Sequence, residues 1–537
     1  MGMLLDSAGP ASLYQEVVRS PYFVDKTAML AELIPMLESN TKYICVTRPR
    51  RFGKTVIANM IGAFFSKGAD SGELFDGLRI SDYAGCQAYR NQYHVIYIDF
   101  SVSDDECDSY RAYIGNIKTL LREDLRRAYP QISFREEGNA AEDLRRIYSE
   151  TGEKFLFVLD EWDAVFHMPF VREADKVSYL AFLKGLLKGG AYVALAYMTG
   201  VLPIAKYSSG SELNMFAEFT MANSPAFGEY FGFTGQEVDD LYGRYCRVCT
   251  DRKVSREGLR LWYNGYHTAA GDQVYNPRSV VFALQFNNLG SYWTSSGPYD
   301  EIFYYIKNNI ADIREDLALL VSGEPVQARI QEYAATAMEL KTRDQIFSAM
   351  VVYGFLSVDG GKVVIPNKEL MDKFDDVLRN EASLGYIYRL ARQSDKMLRA
   401  TLAQDTETMA EILEFAHNTE APLLYYHHET ELSAIINLVY LSARDRYRVE
   451  REDKAGVGYV DFIFYPYNRN EDGIILELKV DHTPEEAIRQ IKQKQYMLRF
   501  AGRLGERQAL AGRVLAVGIG YSKKEKKHGC VVEVLKD

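Results

Sequence analysis

The 537-residue sequence contains few cysteines and no long apolar run. Its six cysteines show no spacing typical of a disulfide framework, and the one close pair, Cys246 and Cys249, has no second pair nearby to complete a zinc site. No uncharged apolar stretch approaches the roughly 18 residues of a membrane-spanning helix, and the N-terminus lacks a basic segment followed by an apolar one. We therefore expect a cytoplasmic protein that does not enter a membrane.

An excess of positive charge is also missing. The formal net charge of −11 argues against a protein that coats nucleic acid, because nonspecific affinity comes mainly from Lys and Arg that neutralise phosphates. The charge is uneven, however, since residues 429–537 contain 19 Lys or Arg against 17 Asp or Glu. We expect any nucleic-acid surface in this C-terminal part or in local basic loops.

The chain is too long for one hydrophobic core and long enough for three domains. Its first two hundred residues alternate short β-rich runs with amphipathic stretches, which is typical of a parallel sheet flanked by helices. The predicted strands are 43–47, 94–100, 155–159 and 192–198, and the predicted helices are 54–67, 107–128 and 174–188. We predict an α/β domain with a parallel sheet over residues 1–233.

The remaining sequence divides into two parts. Residues 234–400 are predicted to be a mostly helical lid or spacer, interrupted by an aromatic, turn-rich segment at 262–278. Residues 401–537 are predicted to form a separate α/β domain. Its expected elements are a helix at 429–443, strands at 446–451, 459–466 and 473–480, a helix at 484–499, and a strand pair at 513–521 and 530–535.

A phosphate-binding loop is indicated where the predicted strand 43–47 runs into RPRRFGKT at 48–55. Glycine permits close backbone approach, lysine reaches the outer phosphates, and threonine offers an oxygen to Mg²⁺ at a positive helix N-terminus. Arg48 stands where the pattern has its first glycine, which adds cationic charge to the loop. The predicted nucleotide-binding residues are Arg48, Arg51, Phe52, Gly53, Lys54 and Thr55.

A second motif supports ATP and Mg²⁺ as the ligands of this loop. FLFVLDEWD at 155–163 is an apolar strand that ends in Asp160, placed to bind Mg²⁺, and Glu161, placed to act on the attacking water. Thr199 follows the next predicted strand, where it could sense the γ-phosphate or simply end the strand, and both interpretations stay open.

Several segments resemble the AAA-ATPase-like proteins of bacteria. They are FVDKT at 23–27, TRPRRFGKT at 47–55, VLDEWD at 158–163, FGEYFGFT at 227–234, WYNGY at 262–266 and VYNP at 274–277. In that family an ATPase-like domain is fused to a nuclease of the PD-(D/E)XK superfamily. The resemblance spans nearly the whole chain, in the expected order, and implies both domains here.

The C-terminal residues also point to a nuclease centre. Glu477 and Lys479 are two apart on a predicted strand and so project from one face, and Asp461 lies on the preceding strand. Asp461 and Glu477 could hold Mg²⁺ or Mn²⁺, while Lys479 orients or activates the attacking water. The alternative is the polar face of a half-exposed hairpin. The apolar neighbours at 476, 478 and 480 favour the nuclease, because unpaired charge on a central strand is costly.

The resemblance implies further nuclease residues. It implies that a glutamate of the helix at 429–443 reaches the metal, either Glu429 or its rival Glu431. It also implies that Gln490, in QIKQKQY, contacts the attacking water or the DNA backbone, although surface solvation is an alternative.

Two functions follow from these observations. The favoured one is an ATP-regulated nuclease that cuts phosphodiester bonds, with DNA as the expected substrate. The alternative is a nucleotide-switched signalling or scaffold protein whose C-terminal domain binds nucleic acid without cutting. Assembly into a homo-oligomer stays open.

Overall fold

The fold is described from a computed structural model. It covers residues 2–103, 107–204, 213–222, 224–293, 310–330, 340, 342–380, 382–384, 386–418, 429–455, 458–468, 470–500 and 510–536. The chain divides into two compact units, one comprising Met1–Ile302 with Gln327–Leu370 and the other Phe303–Val326 with Met371–Asp537.

The described helices lie throughout the chain. They are α1 Gly9–Val18, α2 Ala28–Leu33, α3 Lys54–Phe65, α4 Gly72–Phe75, α5 Tyr110–Ala128, α6 Ala140–Thr151, α7 Glu173–Leu187, α8 Gly235–Val248, α9 Arg256–Tyr263, α10 Pro277–Phe286, α11 Ile310–Val321, α12 Arg343–Tyr353, α13 Lys368–Asn380, α14 Tyr386–Ala403, α15 Thr406–Asn418, α16 Glu429–Val439 and α17 Pro484–Gln493. Among the described residues, no helix is both long and apolar enough to cross a membrane.

The described strands form two larger sheets and some short pairings. They are β1 Tyr43–Thr47, β2 His94–Asp99, β3 Phe155–Asp160, β4 Val193–Gly200, β5 Ala217–Phe219, β6 Tyr266–His267, β7 Gln273–Val274, β8 Val326–Gln327, β9 Ser357–Asp359, β10 Lys362–Val364, β11 Tyr447–Ala455, β12 Gly458–Pro466, β13 Gly473–Val480, β14 Val514–Ser522 and β15 Lys527–Lys536.

The N-terminal unit is built on a parallel sheet with strand order β2-β3-β4-β1-β5. Every residue of β3 and β4 is buried, as expected for strands covered on both faces. The predicted α/β fold with its first four strands is confirmed, with identical bounds for β1 and bounds that differ by one or two residues for β2, β3 and β4. Strand β5 was not predicted, because three residues carry little alternation.

Helix α3 follows β1 through the loop at 48–53 and lies in the core of this unit. Gly53 precedes the helix with a φ of 90°, in the left-handed region that glycine tolerates. Ten of the twelve helix residues are buried, which matches the apolar sequence that follows Lys54. The carboxyl end of β1 and the amino end of α3 are therefore joined by a short, fixed loop.

Residues 234–302 and 327–370 pack in the same compact unit as this loop, although the sequence pattern assigns them to a spacer. A capping box starts α8, with Thr234 and Glu237 each accepting a hydrogen bond from the other's backbone N–H. An antiparallel bridge joins Phe233 to Tyr275. The WYNGY and VYNP segments thus belong structurally with the P-loop.

The C-terminal unit contains a five-stranded sheet with order β11-β12-β13-β14-β15. The β13 and β14 strands are parallel, and the other pairs are antiparallel. The predicted α/β domain is confirmed, but its helices are shorter. Helix α17 ends at Gln493 because Gln495 has a φ of 53°, and a 3-10 turn at Tyr496–Phe500 follows.

Candidate nucleotide and nuclease sites

A cavity of about 1280 Å³ opens beside the amino end of α3 in the N-terminal unit. It lies at the carboxyl edge of the parallel sheet, where ligands bind in open α/β folds. Its polar lining includes Gly53, Lys54, Thr55, Asp99, Glu161 and Asp163. The cavity therefore combines a helix N-terminus, an ammonium group and several carboxylates.

Lys54 is held inside this cavity with only 3% of its surface exposed. Its Nζ donates a hydrogen bond to the Pro49 carbonyl at 3.3 Å and lies 3.7 Å from a Glu161 carboxylate oxygen. A buried ammonium at a helix N-terminus attracts phosphate strongly. Lys54 is thus positioned for the outer phosphates of a nucleotide.

Asp160 ends β3 and is completely buried, behind the cavity lining. Burial, then the neighbouring Glu161 and Asp99, raise its pKa to about 7, while a hydrogen bond from Thr55 and the charge of Lys54 oppose the shift. Crowded carboxylates of this kind are relieved by a divalent cation. The residues present therefore fit a Mg²⁺ ion beside Thr55 and Asp160.

Asp99 is a functional candidate that the sequence reasoning missed. It pairs with Asp160 in the ladder between β2 and β3, so the two strands end in adjacent carboxylates. Its side chain accepts a hydrogen bond from the Ser101 backbone N–H at 2.9 Å. The sequence could have pointed to Asp99, because HVIYID at 94–99 is a mostly apolar strand that ends in an acid.

Two predicted nucleotide-binding residues lie away from the cavity lining. The guanidinium of Arg48 is buried and donates to the carbonyls of Thr47 and Phe219, both at 2.8 Å. Thr199 is fully buried inside β4, and its hydroxyl donates to the Val46 carbonyl at 2.9 Å. Both side chains bind the backbone of the sheet in this structure.

Arg51 and Phe52 do line the cavity. Arg51 donates to the carbonyls of Tyr292 and Trp293 at 2.6 Å each. Phe52 packs edge-on against Tyr266 of the WYNGY segment, with ring centroids 4.9 Å apart. These contacts fix the P-loop against the segments that follow the parallel sheet.

Asp163 and Trp162 hold the chain that follows β4. Asp163 accepts hydrogen bonds from the backbone N–H groups of Val201, at 3.1 Å, and Leu202, at 2.8 Å. Trp162 is buried and donates to the Leu202 carbonyl at 3.1 Å. A side chain at Gly200 would collide with both residues, because its Cβ would lie 2.3 Å from Asp163. The ends of β3 and β4 are therefore fixed together.

One wall of the cavity is apolar. Tyr22, Val24, Phe233 and Val281 all line the cavity and pack in one hydrophobic cluster of this unit. Binding sites for cofactors commonly combine such a wall with a few polar groups. An apolar wall of this kind is suited to a planar base.

The C-terminal unit brings the predicted nuclease residues together. Phe462 pairs with Leu476 in the antiparallel β12–β13 ladder, so Asp461 and Glu477 occupy the next opposed positions. Asp461 accepts a hydrogen bond from the Leu478 backbone N–H at 2.7 Å, and Lys479 Nζ lies 3.3 Å from Glu477 Oε1. The two carboxylates and the ammonium thus share one face of the sheet.

Glu477 is 2% exposed, and its two oxygens have different surroundings. Gln490 of α17 donates a hydrogen bond to Oε1. Oε2 is buried without a hydrogen-bond partner among the described residues. Burial, then the charge of Asp461, raise the pKa of Glu477 to about 7, while Lys479 opposes the rise. An unsatisfied buried carboxylate oxygen beside a second carboxylate fits a hard divalent cation.

Glycines let α17 approach this face closely. Gly518 lies opposite Glu477 and Gly520 opposite Lys479 in the parallel β13–β14 ladder. A Cβ at Gly518 would lie 2.2 Å from the Pro484 carbonyl oxygen, and one at Gly520 would lie 2.8 Å from the His482 carbonyl oxygen. Because Gly518 and Gly520 have no side chains, α17 can lie close to β14 and bring Gln490 to Glu477.

The predicted glutamate of the upstream helix cannot be placed in the same way. Helix α16 begins at Glu429, but the side chains of Glu429 and Glu431 lie outside the described residues. In the part of the chain that is described, no three His, Cys, Asp or Glu side chains are grouped to hold a metal ion. The described centre therefore offers two carboxylates, from Asp461 and Glu477.

Comparison with known families finds a match in each of the two units. Residues 13–209 match the predicted AAA-ATPase family, and residues 430–526 match the PD-(D/E)XK nuclease superfamily. The chain therefore has an ATPase-like domain in its N-terminal unit and a nuclease-superfamily domain in its C-terminal unit. The chain carries a predicted AAA-ATPase domain and a PD-(D/E)XK domain, which confirms the resemblance seen in its motifs.

Two solved structures are similar to the chain at low sequence identity. One is the Walker-type ATPase of Pyrococcus abyssi, with 10% identity, a TM-score of 0.34, and coverage of 65% of this chain and 94% of that one. The other is the ORC2 protein of Aeropyrum pernix in its ADPNP and ADP complexes, with 12% identity, a TM-score of 0.33, and coverage of 66% and 92%. No curated protein matches the chain.

Proposed function

We propose that this protein is an ATP-regulated, metal-dependent nuclease that hydrolyses phosphodiester bonds in DNA. The observation that carries the proposal is the shared face of Asp461, Glu477 and Lys479, with one buried Glu477 oxygen unsatisfied among the described residues. The two matched domain families support it. All six cysteines are free thiols, which supports a reducing, cytoplasmic setting.

In the nuclease centre, Asp461 and Glu477 would hold Mg²⁺ or Mn²⁺. The metal, when bound, polarises the phosphate and stabilises the charge that develops there. Lys479 extends from the same face, where its ammonium orients the attacking water and stabilises the developing negative charge. Gln490 keeps the Glu477 carboxylate in one orientation through its hydrogen bond to Oε1. These are the parts that phosphodiester hydrolysis requires.

In the ATPase-like domain, Lys54 would bind the outer phosphates, and Thr55 with Asp160 would hold Mg²⁺. Glu161 lies beside Lys54 at the cavity and orients the attacking water. The apolar wall receives the base. ATP bound here regulates the nuclease, and this coupling is part of the proposal.

Cleavage of supercoiled plasmid DNA in Mn²⁺, with and without ATP, tests the proposed function. Wild-type protein should cut, and Glu477→Ala should not, because it removes a metal ligand. Glu485→Ala, which removes an exposed glutamate from the first turn of α17, should cut like wild type. A wild-type protein that binds DNA but leaves it intact would overturn the nuclease in favour of the nucleotide-switched binding protein.

A further inference from the structure

The turn between β14 and β15 carries concentrated positive charge. Residues 522–527 contain Lys523, Lys524, Lys526 and Lys527 against one acid, Glu525, and these five side chains are all exposed. The whole chain has a formal net charge of −11. A local excess of lysine in an acidic protein is a candidate contact for a polyanion.

The ladder register places this turn near the nuclease carboxylates. Val480, three residues beyond Glu477 on β13, pairs with Tyr521 at the end of β14, just before the turn. Three residues of extended strand span about 10 Å. Asp481 fixes the turn at this edge, since it accepts a hydrogen bond from the Lys523 backbone N–H at 2.9 Å and lies 3.5 Å from Lys523 Nζ.

Most of this charge is not neutralised by the protein. Lys523 is paired with Asp481, but no carboxylate in the described part of the chain forms an ion pair with Lys524, Lys526 or Lys527. Protection of the edge strand β15 is the alternative role for such lysines. That role requires charges along the strand, whereas three of these four lysines precede β15 and the fourth begins it, and the next lysine of β15 is Lys536.

We propose that the turn at 522–527 binds backbone phosphates of DNA that flank the bond cut at Glu477. Each strand of a duplex carries one phosphate per roughly 3.4 Å of axis, so 10 Å corresponds to about three nucleotides. The turn thus reaches phosphates on the same duplex whose phosphodiester lies at the metal-binding carboxylates. This inference rests on the proposed nuclease function and names the surface that gives it affinity for DNA.

The experiment measures how the affinity of the full chain for DNA depends on salt. A 30-base-pair duplex is titrated in EDTA, which prevents cleavage, and binding is followed by fluorescence anisotropy. The variant Lys524→Gln with Lys526→Gln is compared with Arg392→Gln and Lys396→Gln, which remove two exposed cations from α14 in the same unit. Each lost phosphate contact lowers the slope of log affinity against log salt by about 0.9.

The turn variant should show a slope smaller by nearly 2 and an affinity about 50-fold weaker at 0.1 M monovalent salt, while the α14 variant behaves like wild type. Equal slopes for the turn variant and wild type would overturn the assignment, as would loss of affinity confined to an RNA duplex of the same length. Absence of duplex binding by wild type would also overturn it. If wild type cuts plasmid DNA but the turn variant has the same salt slope as wild type, only the DNA contact at 522–527 is rejected. If wild type does not cut plasmid DNA, the proposed nuclease function itself is rejected.

Discussion

The Lys54 ammonium lies 3.7 Å from the Glu161 carboxylate, so the charged groups of the P-loop and of the β3 end face each other across the cavity. Glu161 has a φ of 49°, a left-handed conformation that is uncommon for a residue other than glycine. Phosphates that bind Lys54 would compete with this ion pair. Nucleotide binding and the position of Glu161 are therefore linked through one lysine.

Replacement of Lys54 tests the phosphate-binding role. Lys54→Ala should weaken ATP binding at least tenfold, because a charge-assisted contact to phosphate contributes roughly 1.5–3 kcal/mol. Isothermal titration calorimetry measures the change. Lys67→Ala, which removes a partly exposed lysine of the same unit, should bind ATP like wild type. Unchanged ATP affinity in a folded Lys54→Ala variant would reject the P-loop assignment.

The two acids at the end of β3 should have separable roles. Asp160→Ala should abolish the tightening of ATP binding by Mg²⁺, whereas Glu161→Gln should keep ATP binding and slow hydrolysis by about 10²-fold. Binding is measured by calorimetry in Mg²⁺ and in EDTA, and hydrolysis by phosphate release. Identical behaviour of the two variants in both assays would contradict this division.

The sequence was sufficient to predict the parallel sheet because its strands are short apolar runs bounded by turns. Residues 43–47 were predicted with the bounds that β1 has, and residues 473–480, in the mixed sheet of the C-terminal unit, with the bounds of β13. The side chains of the P-loop were harder to place, since hydrogen bonds to distant backbone decide their direction. Arg48 binds the carbonyl of Phe219, which lies 171 residues further along the chain.

The nuclease face was predictable from alternation along β13, which puts Glu477 and Lys479 on one side. The approach of Gln490 depends on Gly518 and Gly520, whose lack of side chains has meaning only once β14 is known to pair with β13. Asp99 was missed for a similar reason. Its importance comes from its ladder partner Asp160, which is 61 positions further along the sequence.

Nucleotide binding should reach the WYNGY segment. Phe52 of the P-loop packs against Tyr266, so ATP that stabilises the loop should slow hydrogen exchange within 262–278 through this contact. Hydrogen-exchange mass spectrometry measures this, with α6 as an internal reference and Lys54→Ala as the matched variant that should show no change. If ATP alters neither this exchange nor the rate of DNA cleavage, the two domains are merely tethered.

Metal binding at the nuclease centre should depend on pH. The pKa of Glu477 is raised from its ordinary 4.5 to about 7, so Mn²⁺ must displace a proton below about pH 7. Affinity for Mn²⁺ should therefore fall by up to tenfold per pH unit as the pH drops from 7 towards 5. Without metal, a raised carboxyl pKa means that the folded state binds the proton more tightly than the unfolded state, so stability should decrease as pH rises through about 4.5 to 7.

Calorimetric titration with Mn²⁺ and thermal unfolding across this range measure both effects. Glu477→Gln, which cannot titrate at this position, should show weak Mn²⁺ binding and a flatter dependence of stability on pH. A wild-type Mn²⁺ affinity that stays constant between pH 5 and 7 would mean that Glu477 is not a metal ligand.

Substitutions at the nuclease centre should separate DNA binding from cleavage. Asp461→Ala and Glu477→Ala should abolish cleavage because each removes a metal ligand, yet both should bind DNA as tightly as wild type or more tightly, since a carboxylate repels phosphate.

Lys479→Ala should keep Mn²⁺ binding and lower the single-turnover cleavage rate by about 10²-fold, as expected when a positioned charge is lost. Mn²⁺ titration, duplex binding in EDTA and single-turnover kinetics distinguish these effects, with Glu485→Ala as the control. Full cleavage by all three folded variants would show that the β12–β13 face is structural and that cleavage does not depend on Asp461, Glu477 or Lys479.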